Sequence, residues 1–150
     1  MPIELKKILL VEDNEDDIDL TLLSFKNNRI GNEVVVARDG AEALDYLFGT
    51  GKHQGRDVTI QPVVVFLDIN LPKINGLDVL KKLRNDPRTR RLPVVILTSS
   101  VEERDLLTGY DLGVNSYIRK PVDLDQFDDA VKQLGLYWTL LNELPSKLSA

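Results

Sequence analysis

Asp68 closes the apolar run Val63-Val64-Val65-Phe66-Leu67 and is followed by Ile69-Asn70-Leu71-Pro72. A carboxylate set where a buried strand leaves the core can act as a nucleophile or a metal ligand. It can also merely cap the loop that follows, as Asp often does. Three other places in the chain bear on that choice. Glu12-Asp13 follows the apolar run Ile8 to Val11, Thr98 follows Val94 to Leu97, and Lys120 follows Ser116-Tyr117-Ile118-Arg119. If all four runs are parallel strands, their ends gather three carboxylates, a hydroxyl and an ammonium on one rim. Such acids repel one another unless a cation compensates. A divalent metal supplies that cation, and Mg²⁺ suits a donor set made only of hard oxygens. A carboxylate beside such an ion, an ammonium and a hydroxyl make a phosphoryl-accepting site. Asp68 attacks, the metal and Lys120 neutralise the phosphoryl oxygens, and Thr98 donates a hydrogen bond.

The elements that must position these groups are legible in the pattern. Five consecutive apolar residues from Val63 to Leu67, rich in β-branched side chains, read as a strand buried on both faces, and Lys7 to Val11 reads likewise. The acids after Val11 open a helix with Asp13 or Asn14 as N-cap and an apolar face of Ile18, Leu22 and Phe25, with Leu23 alongside, ending near Asn27-Asn28. A short strand over Glu33 to Ala37 leads to Asp39-Gly40, which opens a helix with Leu44, Leu47 and Phe48 inward. The stretch 49–61, with Gly49, Gly51, Gly55 and the sole histidine, reads as an extended surface loop, either functional or a family-specific insertion. His53 has no ligand partner at metal spacing and reads as solvated. Turn chemistry at Leu71 to Gly76 precedes a helix marked by Leu77, Leu80 and Leu83, which Asp86-Pro87 ends. Leu92 to Leu97 is a fourth strand; a helix over 101–112 closes at Gly113; Ser116 to Arg119 is a fifth strand; and a final helix spans 123–143. Five strands alternating with five helices predict an α/β fold, a doubly wound five-stranded parallel sheet with helices on both faces and right-handed crossovers.

Composition narrows the class of function. At 150 residues the chain reads as one domain able to bury its own core. With 43% hydrophobic residues and no apolar run approaching the roughly 20 residues of a membrane helix, no membrane partner is expected. The amino terminus lacks a secretory signal pattern and there are no cysteines, which points to the cytoplasm. A formal charge of −5 without a dense basic stripe argues against direct nucleic-acid binding.

Leu10-Val11-Glu12-Asp13-Asn14, Phe66 to Pro72 with Gly76, Ile96-Leu97-Thr98-Ser99 and Tyr117-Ile118-Arg119-Lys120-Pro121 together resemble the receiver domain of two-component response regulators over about residues 6 to 135. The resemblance implies the flavodoxin-like strand order 2-1-3-4-5. It also implies that Asp68 is the phosphoacceptor for a sensor histidine kinase or a phosphotransfer protein. Glu12, Asp13, Asp68 and the backbone carbonyl of Asn70 would then hold Mg²⁺, for which Mn²⁺ can substitute, and Lys120 would contact the phosphoryl group. Thr98 and Tyr117 resemble the switch pair that couples the site to the surface of helix four, strand five and helix five. Asn70 and Ser100 resemble the positions that tune phosphoryl lifetime, and Lys120-Pro121 the bond that is commonly cis in the family. On this reading the chain is not an enzyme beyond its own phosphotransfer and slow autodephosphorylation. The long 49–61 loop, the Asp68-to-Pro72 wording, Asp86-Pro87 and the aromatic C-terminal helix are similar to receivers paired with bacterial, notably cyanobacterial, phytochrome kinases.

Two rivals are weaker on residue grounds. Aspartyl-phosphate hydrolases usually carry a second Asp two residues after the nucleophile, where this chain has Asn70, and Gly49-Thr50-Gly51-Lys52 lacks the spacing of a phosphate loop. A pseudo-receiver that no longer takes phosphate is argued against by the intact set Glu12, Asp13, Asp68, Thr98 and Lys120. The final helix, extended to about residue 144, carries Tyr137, Trp138, Leu140 and Leu141 around more than one face. It is expected to cover a second copy in a homodimer or to pack back on its own domain. With no room after it for an output domain, the chain reads as a single-domain regulator.

Overall fold

The computed structural model describes residues 7–27, 30–98, 112–114, 116–119 and 125, with the backbone alone at Thr98, Ser116 and Arg119. Its sheet has five parallel strands: β1 (Ile8–Val11), β2 (Val34–Ala37), β3 (Val64–Asp68), β4 (Val94–Thr98) and β5 (Ser116–Arg119). Their order is β2-β1-β3-β4-β5, as the family resemblance implies. The central strands are apolar throughout because both of their faces are covered. β1 and β3 are fully buried along their length.

Three helices are described, α1 (Glu15–Asn27), α2 (Gly40–Phe48) and α3 (Gly76–Arg84). Alternate strand residues feed two separate cores. Ile8, Leu10, Val64, Phe66, Val95 and Leu97 pack with Ile18 and Phe25 of α1. Leu9, Val11, Val65, Leu67 and Ile96 pack with Ala43 and Leu47 of α2 and with Val79, Leu80 and Leu83 of α3. Helices therefore lie on both faces, which is the doubly wound arrangement. The Phe25 and Phe66 rings meet at 5.1 Å, fixing α1 over the middle of β3.

Several helix faces differ in detail from the sequence reading. In α1, Leu22 is only partly buried and Leu23 is 51% exposed, while Thr21 and Ser24 are buried. The Thr21 hydroxyl donates to the Asp17 carbonyl at 2.8 Å, so this polar side chain enters the interface already satisfied. In α2 the most buried residues are Ala43, Tyr46 and Leu47, with Leu44 and Phe48 at the margin.

The 49–61 stretch is folded rather than extended. After Gly49 caps α2 in the left-handed region, Gly51–His53 form a 3-10 turn and the chain returns beneath the helix end. Arg56 organises it. Its guanidinium lies 4.2 Å from the Tyr46 ring centroid, donates to the Tyr46 carbonyl, and reaches the carbonyls of Leu47 at 3.3 Å and Ile60 at 2.7 Å. Gln61 donates to Leu47 and Val58 carbonyls at 3.0 and 2.8 Å. These side chains satisfy the last carbonyls of α2, which have no partner within the helix. His53 is half-buried and packs edge-on against Tyr46 at 5.2 Å, so it is not the solvated loop residue its surroundings in sequence suggested.

Residues 101–111 of the expected helix, the final helix apart from Asp125, and Ser100, Lys120, Pro121, Tyr137, Trp138, Leu140 and Leu141 lie outside the described residues. No helix among the described residues is long and apolar enough to cross a membrane.

Candidate functional site

The sheet register sets the rim. Val11 pairs with Leu67, and Leu67 with Ile96. Glu12 and Asp68 are each one residue further on, and Asp68 pairs with Leu97. Thr98 is the next residue of β4, in register with Arg119, the last residue of β5. The backbone thus delivers Glu12, Asp68 and Thr98 to neighbouring points on the carboxyl edge, with Asp13 beside them.

Carboxylate oxygens of Glu12, Asp13 and Asp68 converge to within 4.8 Å of one another. Their surroundings differ. Glu12 is fully buried and Asp68 is 3% exposed, whereas Asp13 faces solvent. The Glu12 backbone N–H extends the β1–β2 ladder to the Ala37 carbonyl at 2.9 Å, which keeps its carboxylate at the strand exit. One Glu12 oxygen accepts the Asn14 N–H at 3.1 Å, and Asn14 in turn caps α1 by accepting the Asp17 N–H at 3.0 Å. Of the two cap candidates, Asn14 is the cap, and Asp13 is left to the cluster.

Asp68 does not cap a helix. Asn75 does that for α3, accepting the Asp78 N–H at 2.9 Å. The Asp68 carboxylate receives the Asn70 N–H only at a long 3.4 Å. Close behind it, Gly76 allows a backbone approach that no side chain would permit: a Cβ there would sit 2.1 Å from the Asp68 carbonyl oxygen. The Gly76 N–H donates to the Ile69 carbonyl at 2.8 Å, folding the β3–α3 segment back on the strand end.

The donor set tests well against a divalent cation. All three groups are hard oxygens, two are held in place by burial, and one is open to solvent where water could complete a coordination shell. Tyr117, in β5, is half-buried and packs against the α2/α3 side of the sheet. The side chain of Thr98 is not described.

One neighbour of the site carries only the signal of a helix start in the sequence. Asp39, the N-cap of α2, accepts the Glu42 N–H at 2.7 Å and lies 3.3 Å from the Lys73 ammonium in the β3–α3 segment. The Glu42 N–H first, and then Lys73, hold the Asp39 carboxyl below its ordinary range against the opposing effect of burial. The Asp39-Gly40 pair signalled a helix start, but nothing in the local sequence signals that two loops from different strands meet there.

The response regulator receiver domain model matches residues 8–132. The chain belongs to that family. Response regulator Rcp1 of Synechocystis sp. is 35% identical to this receiver over 94% of each chain. A solved Mn²⁺-bound form of Rcp1 superposes with a TM-score of 0.74 at 35% identity, covering 93% of this receiver and 99% of that chain. The bacteriophytochrome response regulator AtBRR has a TM-score of 0.81 and 51% identity over 94% of this receiver and 100% of that chain. The phosphorylated cyanobacterial phytochrome response regulator RcpA has a TM-score of 0.74 at 42% identity, over 89% and 94%. This receiver is a two-component response regulator, a signalling protein whose acidic cluster fits a divalent cation.

Proposed function

We propose that this receiver takes a phosphoryl group from the phosphohistidine of a sensor histidine kinase, or from a phosphotransfer protein, onto Asp68 in a Mg²⁺-dependent step. The observation that carries the reading is the convergence of Glu12, Asp13 and Asp68 at the ends of β1 and β3. A carboxylate oxygen of Asp68 bonds to phosphorus as the phosphorus–nitrogen bond to the donor imidazole breaks, and the imidazole leaves with the bonding pair. Glu12, Asp13, Asp68 and the Asn70 carbonyl would hold the metal, with Mn²⁺ able to replace Mg²⁺. The bound ion supplies the positive charge that lets an anionic nucleophile meet an anionic phosphoryl group.

The chain's own groups do the rest. Burial keeps Asp68 facing one direction, and Asp13 at the open side leaves room for donor and water. Lys120, next in the chain after β5, and Thr98, at the end of β4, are assigned the contacts to the phosphoryl oxygens. Thr98 with Tyr117 is assigned the switch that alters partner binding, and Asn70 with Ser100 the phosphoryl lifetime. The cis bond is assigned to Lys120-Pro121. The likeness to AtBRR and RcpA supports a bacterial phytochrome as the kinase partner. We assign the protein to the cytoplasm, as one receiver domain over 1–150, with Tyr137, Trp138, Leu140 and Leu141 forming a homodimer contact.

Incubation with Mg²⁺ and a small phosphodonor, followed by intact mass measurement, tests the reading. The wild type should gain one phosphoryl group and Asp68→Asn none. A wild-type chain that gains nothing, or an undiminished gain in Asp68→Asn, would falsify the phosphoacceptor assignment.

A further inference from the structure

We propose that Asp39 and Gly40, at the amino end of α2, are positioning residues for the metal-binding segment that runs from Asp68 to Gly76. The inference rests on the reading above, in which that segment supplies Asn70 to the metal. Asp39 and Gly40 act through the far end of the segment, where Pro72, Lys73 and Ile74 turn back toward the sheet.

Three contacts define the clamp. The Gly40 N–H points to the Pro72 carbonyl at 3.5 Å, and the Lys73 ammonium lies 3.3 Å from Asp39. A Cβ on Gly40 would sit 2.0 Å from the Ile74 carbonyl oxygen and 2.9 Å from its carbonyl carbon, so the segment rests directly on the helix backbone. Between these contacts Lys73 holds φ at 66°, the one positive φ among described residues that are not glycine. An L side chain rarely adopts that conformation, and it persists where its surroundings leave no alternative. The clamp is that surrounding structure.

At its other end the segment is pinned by Gly76, whose N–H reaches Ile69 at 2.8 Å and whose missing Cβ admits the Asp68 carbonyl. Asn70 thus lies in a short span held from α3 on one side and from α2 on the other. A small hard cation accepts little departure from ideal ligand geometry, so a shift of a few tenths of an ångström in this span is felt at the metal. The two parts of the clamp differ in weight. Lys73 is 68% exposed, so its ion pair contributes modestly, and the backbone contact at Gly40 carries most of the effect.

Titration of the full chain with Mn²⁺, read by the electron paramagnetic resonance of the free ion, tests the inference. It is paired with metal-free amide chemical shifts for residues 69–74. Gly40→Ala should bind Mn²⁺ about tenfold more weakly, the scale seen when outer-shell supports are lost, and should shift the amides of 70–74 before metal is added. Asp39→Asn, which keeps the cap, and Lys73→Gly, which keeps the backbone conformation, should each weaken binding about threefold, as for a modest surface pair. Because they share one contact, the double variant should be no worse than either single one. A folded Gly40→Ala with wild-type affinity overturns the clamp while leaving the metal reading intact. Should Gly40→Ala fail to fold, unchanged affinity in Asp39→Asn and Lys73→Gly overturns it equally. A wild-type chain that binds no Mn²⁺ overturns the metal reading and the clamp's role with it.

Discussion

The acidic rim and the two arginine hubs of this receiver use charge in opposite ways. At the rim, three carboxylates are drawn within 4.8 Å of one another, a placement in which like charges oppose folding. At Arg56 and Arg84, one cation is ringed by backbone carbonyls. Arg84, at the end of α3, donates to Leu112 at 2.9 Å, Gly113 at 2.8 Å, Arg90 at 3.1 Å and Leu92 at 2.9 Å. Its partly buried position lowers its pKa through desolvation, and the four acceptors keep the charge well solvated by the protein itself. The hubs stabilise the fold. On the proposed reading the rim would cost stability until a cation arrives, as a binding site does and a structural cluster does not.

The sharpest way to break this contrast is at Arg84. Arg84→Ala leaves four carbonyls short of a donor and should cost about 3 kcal/mol in denaturant unfolding. A loss below about 1 kcal/mol would mean that water replaces the guanidinium and that the hub is ornamental. At the rim the sign should reverse on adding metal. Mg²⁺ at about a hundred times its Kd should stabilise the wild type by about 2.7 kcal/mol and leave Asp68→Asn unmoved in a thermal melt. Equal stabilisation of both would place the ion elsewhere.

Arg56→Ala should cost about 2 kcal/mol, since the α2 carbonyls and the Tyr46 face lose one shared partner. Hydrogen exchange should localise the damage to 49–61. Without metal, Asp68→Asn should be about 1 kcal/mol more stable than wild type, because one of three neighbouring negative charges is gone; a destabilised variant would show that Asp68 serves the fold. The smallest effect lies on the surface at Asp86. The Arg88 side chain first, and its backbone N–H second, lower this carboxyl from 3.8 to about 2. A depressed carboxyl contributes stability that is complete above its unfolded value and lost as pH falls through the folded one. The Asp86 contribution should therefore fade between about pH 4 and pH 2, and Arg88→Ala, which removes the side-chain contacts but keeps the backbone N–H, should move the carboxyl's NMR titration part of the way back to its ordinary range.

Much of the scaffold was legible because apolar runs mark fully buried strands. β5 lies at Ser116 to Arg119, as its sequence pattern predicts, and the rim acids stand out because each follows such a run. Strand order was not derivable from periodicity and came through the family resemblance. What stayed hidden depends on meetings between distant segments. Leu23 sits alongside the apolar face in the sequence pattern, yet it is exposed while Thr21 and Ser24 are buried; the Thr21 hydroxyl, bonded within its own helix, carries little polarity into the interface. The 49–61 stretch looked extended because its glycines and polar residues resemble an open loop. Arg56 folds it by supplying donors to a helix end that sequence alone cannot show to be close. Lys73 gave no sign of its left-handed backbone, a conformation usually announced by glycine or asparagine.

The central claim is that the rim exists to place one carboxylate, Asp68, before a phosphoryl donor. Reductive trapping tests it most directly. After incubation with Mg²⁺ and a small phosphodonor, borohydride converts an aspartyl phosphate to homoserine, and peptide sequencing by mass spectrometry locates it. The account predicts homoserine at position 68 alone, and only when Mg²⁺ is present. Homoserine at position 13, or trapping at 68 that is indifferent to the metal, would contradict it.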